Sequence, residues 1–427
     1  MEGPCGRCRA VRRMIHYDAV HARQNRFNRS FLVVETQKGP SMRFVDSTFG
    51  NLLKPIDRRQ FRAIVERHDG DAYDKSFKSW DHLVALIYAQ LSGVDSLRGL
   101  ELAFNANAHH HYHLNVGKIA RATLSDANAR RPVEVFADTF AMVARMADRY
   151  TRRAGGEMVR LIDASPIPLG KLCDWATWNG RIRGMKMHVV YDPLADVPYC
   201  VEVTPANVND VEVGRQVPIK PGVTYVFDKG YCRFDWWQKI NDSKAFFVTR
   251  AKTNMRLRAT RHRSVRKRKG DGFQIVSDDE VVLVSKGDSR LSMPLRRIRV
   301  KREAGGTITL ITNDLARTAV EIAALYKMRW QIELLFRWIK QHLDIRKFLG
   351  NNDNAIQLQI FAAMIAYLLL RIAARLHRLS MPALRLAELI RQFIFARRPL
   401  AELDRSPPVN PSKRKPPCPN QLGFCYA

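Results

Sequence analysis

Apolar periodicity changes twice along this chain of 427 residues, and those two changes limit the architectures open to it. From Phe44 to about Met146 the apolar residues recur at helical steps. Trp80, Leu83, Val84, Leu86, Ile87 and Leu91 make one stripe. Ser79 is placed to cap that helix, with Asp81 in its first turn, and 133–146 predicts a further helix. The pattern then becomes strand-like. Runs 158–163, 186–191, 199–204 and 223–228 are short, rich in β-branched and aromatic residues, and bounded by Pro, Gly and Asn. The first three predict a meander, 211–217 a short helix, and 246–249 a fifth strand. A second β-rich stretch follows in 272–276, 280–284, 295–300 and 307–311. Helix resumes over 319–349 and 355–376. An α/β unit behind an all-helical N-terminal domain follows.

The domain division expected from this reading has four parts. Residues 1–41 are a flexible basic extension, and 42–150 a helical domain of the kind that commonly binds DNA. Residues 151–380 hold the α/β unit with a β-rich insertion at about 250–313. Residues 381–427 add a helix and a basic tail, whose stretch 405–417 carries five prolines.

Charge narrows the function. The formal net charge is +30, and self-repulsion on that scale favours a polyanion partner that releases counterions. At 46% hydrophobic content the chain is too apolar for a disordered coat protein. Seven cysteines, at 5, 8, 173, 200, 232, 418 and 425, form no disulfide pattern and fit a reducing cytoplasm. The Cys5–Cys8 pair lacks the second pair that a zinc site needs. His109–His113 reads better as a polar helix connection than as a metal tract, and no signal-peptide core follows Met1. The apolar stretch 360–370 is too short for a membrane, which takes about 20 residues, and predicts a buried helix.

The helix over 326–340 carries the strongest functional signal. Leu325, Met328, Ile332, Leu335, Phe336, Ile339 and Leu343 fall in one core-facing arc. Tyr326, Arg329, Glu333, Arg337 and Lys340 share a neighbouring arc of about 80°. Alone, such a face is a solvated one with four-apart charge pairs. Two aspartates change its meaning. Asp163 and Asp228 each close a strand-like run, where ligands of open sheets collect. Carboxylates on rigid elements suit hard divalent cations, and two such ions support in-line phosphodiester displacement.

Tyr326, Arg329, Glu333 and Lys340 match Y-x2-R-x3-E-x6-K, and over roughly 42–379 the chain resembles bacterial DDE transposases of insertion-sequence family four. The resemblance identifies Asp163 in Leu-Ile-Asp-Ala-Ser, Asp228 in Phe-Asp-Lys-Gly-Tyr and Glu333 as catalytic acids and metal ligands. It implies a ribonuclease-H-like core with a β-rich insertion, two Mg²⁺ ions (with Mn²⁺ as a substitute), and a homodimer. The expected partners are double-stranded terminal repeats and target DNA, and the expected action is cutting element ends and joining their 3′-hydroxyls.

The run 250–269 holds ten Lys or Arg and no acid. Lys252, Arg256, Arg258, Arg261, Arg263, Arg266, Lys267, Arg268 and Lys269 are expected to contact DNA phosphates beside Tyr326, Arg329, Arg337 and Lys340. The bland alternative is a mobile solvated loop. Trp236 and Trp237 are expected in the core, and Asn207, Asn209 and Asp210 in an Asx turn. Rival functions are a DNA-binding protein without catalysis, a metal-dependent nuclease that never joins, and an RNA-binding protein.

Overall fold

The computed structural model describes residues 46–151, 158–265, 269–270, 272–284, 291, 293–303, 305–343 and 347–403. The expected extension 1–41, the tail 405–417, four cysteines (5, 8, 418 and 425), Arg266, Lys267 and Arg268 lie outside them. Seven α-helices come first among the described residues: α1 Thr48–Leu53, α2 Arg58–Arg67, α3 Ser79–Ser92, α4 Leu97–Asn105, α5 His111–Leu114, α6 Arg121–Arg130 and α7 Val133–Thr151. Ser79 is not the cap of α3. It is the first helical residue, its hydroxyl donates to the Gly70 carbonyl, and Asp81 instead accepts from the Lys78 backbone N–H at 3.0 Å. The histidine tract is a helix connection, with His111 buried and its ring Nε2 3.0 Å from the Phe104 carbonyl oxygen.

The sheet follows: β1 Val159–Pro168, β2 Gly184–Asp192, β3 Val197–Pro205, α8 Asp210–Gly214, β4 Thr224–Phe227, α9 Phe234–Asp242 and β5 Phe246–Arg250. β1, β2 and β3 form the expected antiparallel meander, while β4 and β5 run parallel to β1. The order β3-β2-β1-β4-β5 is the ribonuclease-H-like arrangement. β10 (Thr307–Thr312), β9 (Leu295–Arg302), β8 (Phe273–Leu283) and edge strand β6 (Leu257–His262) extend the sheet beyond β5; β7 (Lys269–Gly270) pairs with β8.

Two expectations about the insertion need correction. The runs 272–276 and 280–284 are one strand, β8, with a bulge between Ile275 and Ser277. Ser277, Asp278 and Asp279 look like a turn in sequence. In the sheet their charges are matched across strands, Asp278 to Arg296 at 2.6 Å and Asp279 to Arg297 at 2.9 Å. Part of the basic run is likewise ordered rather than loop, since Leu257–His262 forms the edge strand.

Helix α10 (Ala319–Met328) starts at a capping box between Thr318 and Glu321. It meets α11 (Trp330–His342) at Arg329, so the single helix expected over 319–349 is two segments. The junction is a tightened turn, with Arg329 N–H on the Tyr326 carbonyl and Ile332 N–H on the Arg329 carbonyl. Helix α12 (Asp353–Leu376) is apolar around its whole circumference because protein surrounds it, as expected for a buried helix. It alone is long and apolar enough to cross a membrane among the described residues, yet 89% of its most apolar window is buried. Helix α13 (Ala383–Gln392) follows, and a 3-10 turn at Leu400–Glu402 ends the described chain.

One apolar core joins the opening helices, α11, α12 and one sheet face; a second lies under α9 on the other face and buries Trp236 and Trp237 completely, as expected.

Candidate active site

Register places the first two acids side by side. The parallel pairing of β1 with β4 ends at Ile162 opposite Phe227. Asp163 and Asp228 are therefore the next positions on neighbouring strands, which stand about 4.8 Å apart. Asp228 leaves its strand into a 3-10 turn at Lys229–Tyr231. Asp163 does not end its strand, a departure from the sequence expectation. β1 runs on through Pro168, paired only with β2, so Pro166 and Pro168 lie where β4 no longer needs a partner N–H.

Helix α11 brings in the third acid, and Arg329 ties it to the first. The guanidinium sits 2.6 Å from Glu333 and 3.5 Å from Asp163, and its Nε is buried with no hydrogen-bond partner among the described residues. The Tyr326 hydroxyl donates to Asp228 at 3.2 Å. Lys340 donates to the Pro166 carbonyl at 2.6 Å and so pins α11 along β1. Arg337 lies over the exposed Trp330 ring at 5.7 Å. Asp163, Ser165, Glu333, Arg337, Lys340 and Gln341 line one open cleft between strand and helix.

The electrostatics follow from crowding acids in a half-buried place. Burial, with Glu333 and Asp228 adding to it, pushes the Asp163 carboxyl up to about 6. Burial and the Asp228 charge push the Tyr326 hydroxyl up to about 12, which makes it a poor nucleophile. Arg329 thus serves as the internal counter-charge of the acids.

The donor set suits a hard cation, being all carboxylate. Still, no three His, Cys, Asp or Glu among the described residues are gathered closely enough to hold one ion. The guanidinium of Arg329 occupies the space between Asp163 and Glu333 in this arrangement.

Of the basic residues expected to meet DNA, Lys252, Arg256 and Arg258 are exposed. Arg261 and Arg263 both face Glu280 at 3.8 Å, and Arg263 also donates to the Leu315 carbonyl. Lys269 lies in β7; Arg266, Lys267 and Arg268 are not described. Asn209 caps α8, and Asp210 is paired with Lys186 at 2.8 Å. Sequence reading missed Tyr231. Its buried hydroxyl has no hydrogen-bond partner among the described residues, and burial with the nearby Asp163, Asp210 and Asp228 charges raises its pKa. Its place in Asp-Lys-Gly-Tyr was the one available signal.

The chain is similar to known proteins over much of its length. Residues 154–369 match the family described as Transposase DDE domain, and residues 45–116 match a domain of unknown function, DUF4372. A candidate transposase of Sinorhizobium fredii, y4zB, is 62% identical over 304 residues, which cover 71% of this chain and 85% of that protein. A probable transposase for insertion sequence element IS5377 of Geobacillus stearothermophilus is 30% identical over 58% of this chain and 66% of its own. Among solved structures, a piggyBac transposase synaptic complex with hairpin DNA aligns with a TM-score of 0.46 and 10% identity, covering 88% of this chain and 86% of that one. With the family match spanning half of its length, the chain belongs to the DDE transposases.

Proposed function

We propose that this transposase cuts DNA at the ends of an insertion sequence and joins the freed 3′-hydroxyls to target DNA, with Asp163, Asp228 and Glu333 as its catalytic acids. The observation that carries the reading is the adjacent register of Asp163 and Asp228, with Glu333 linked to Asp163 through one arginine. Two Mg²⁺ ions, or Mn²⁺ in their place, would supply activation of the attacking oxygen and neutralisation of the leaving one when bound to these carboxylates.

The chain's own residues then have separable tasks. Asp163 and Asp228 present carboxylates from rigid neighbouring strands, and Tyr326 fixes the orientation of Asp228. Arg329 balances the acids until it turns to a DNA phosphate, and Arg337 and Lys340 line the cleft where phosphates would run. Chemistry is two successive in-line displacements at phosphorus, first by water and then by the 3′-hydroxyl, without a covalent protein intermediate. The exposed cations Lys252, Arg256 and Arg258, with the rest of the basic run, and the helices of 42–150 would hold the flanking duplex. Two copies would bring two element ends together, in the cytoplasm where bacterial DNA lies.

A supercoiled plasmid carrying the DNA that flanks the gene tests this. Mg²⁺-dependent cutting is expected from the native chain and is expected to fall at least a hundredfold in Glu333→Gln with binding retained. Full cutting by Glu333→Gln would remove that residue from the mechanism. Cut but never joined products would favour a nuclease.

A further inference from the structure

The segment between β1 and β2 is a well-ordered hairpin that neither the family signature nor the acids require. It leaves β1 at Leu169 and returns at Gly184, and its tip is a tight hairpin. Trp178 and Arg183 form a cross-strand bridge, and Asn179 N–H donates to the Ile182 carbonyl. The Asn179 side chain accepts from the N–H groups of Arg181 and Ile182, and Gly180 takes a left-handed φ of +89°. The base is equally fixed. A Cβ on Gly184 would lie 2.2 Å from the Ile167 carbonyl oxygen, Cys173 and Ala176 are buried, and the Trp175 indole N–H donates to the Asn351 carbonyl at 2.6 Å.

This well-held hairpin presents what a folded surface normally hides. Trp178 is 60% exposed and Leu172 76%. Lys171, Arg181 and Arg183 are exposed around them, with no carboxylate partner among the described residues. An exposed indole flanked by cations suits a base face next to a phosphate. Position adds the rest. The hairpin continues β1 five residues beyond Asp163, about 17 Å at strand rise, on the side toward which α11 carries Arg337 and Lys340. That distance is within reach of a few nucleotides along an unpaired strand.

We propose that Trp178 stacks on an unpaired base of the DNA arm leaving the active-site cleft, a few nucleotides from the scissile phosphate, with Arg181 and Arg183 on the adjoining phosphates. This rests on the proposed function for the location of the scissile phosphate. Trp178 is a positioning residue, since it does not touch the reacting atoms.

The test uses the full chain and a forked duplex made from the gene's own flanking DNA, with 2-aminopurine placed in turn at each of the first eight unpaired positions. Quenching is expected to peak at one of the first few positions and to be weak at the rest. Trp178→Ala should abolish that peak and weaken binding by on the order of tenfold, and Trp178→Phe should restore both. Arg181→Ala with Arg183→Ala should flatten the salt dependence of binding. Because Trp178 is largely exposed, thermal unfolding of Trp178→Ala should match the native chain. Native-like quenching and affinity in Trp178→Ala would overturn the proposal. So would lowered self-association with DNA binding unchanged, which would make the hairpin a contact between copies. Glu333→Gln separates the two readings: it should keep the quenching peak while losing cutting. A native chain that neither bound nor cut this DNA would sink the proposed function first.

Discussion

Asp163 shows how the site's chemistry is opposed to the stability of the fold. Its folded carboxyl titrates at about 6 because burial, then Glu333 and Asp228, penalise its charge, whereas an unfolded aspartate titrates near 3.8. Between those two values the folded chain keeps a proton that the unfolded chain has lost. Folding stability must therefore fall as pH rises from about 4 to 6 and stay lowered above it. The 21% exposure of the side chain leaves a cost on the order of 2 kcal/mol. Asp163→Asn removes the ionisation. In EDTA that variant is expected to be more stable than the native chain by on the order of 2 kcal/mol at pH 7, with the gap closing toward pH 4. Urea midpoints at both pH values check this, and a gap independent of pH would show that the carboxyl is not under strain. Asp163→Asn should at the same time lose cutting, as expected where a site is built for function at the expense of the fold.

Among the elements, those whose apolar period is unbroken were legible in the sequence, and those held by charge were not. The stripe through Ile332, Leu335, Phe336 and Ile339 is buried as its spacing required, and the polar arc beside it faces the acids. Residue spacing alone was therefore enough to set Glu333 beside Tyr326, Arg329, Arg337 and Lys340 on one face, but not to give that face a role. Strand β8 was unreadable for the opposite reason. Asp278 and Asp279 break its alternation and are tolerated because Arg296 and Arg297 arrive from β9, about twenty residues later. The same long-range dependence hid the continuation of β1 past Asp163, where Ala-Ser-Pro reads as a turn until β2 pairs with it. The hairpin 169–183 has no period at all, and its rigidity comes from backbone and Asn179 hydrogen bonds. β8 yields a prediction of its own. Arg296 is 2% exposed and held by both oxygens of Asp278. Asp278→Ala should cost about 3–5 kcal/mol, because it leaves a buried charge unpaired. Asp278→Leu combined with Arg296→Met should recover most of that loss, since a packed apolar pair can replace a buried ion pair. Chemical denaturation of the single and double variants decides it: equal losses would mean that packing, not charge, holds the strand.

Helix α12 is where the molecule becomes one object. It packs on α7 and α3 from the opening helices and on α11 and β3 from the catalytic side, and its apolar circumference belongs to the single large core. Phe361 is 1% exposed in that helix and lies 6.2 Å from the Phe140 ring on α7. Were the opening helices an independently stable unit merely tethered to the sheet, damage at this contact would be felt on one side only. A shared core predicts the reverse. Phe361→Ala should cost about 3–5 kcal/mol, and the slowest-exchanging amides of α3 and of β1 should lose protection by the same factor, because both exchange through the same global opening. Hydrogen exchange of the full chain reads the two elements separately in one experiment. Loss in α3 with β1 unchanged would split the chain into two folding units, and α12 would then belong to the helical one. Equal loss means that the helices proposed to hold flanking DNA and the strands which carry Asp163 and Asp228 stand or fall together, so duplex binding there would fix the position of the acids without a hinge between them.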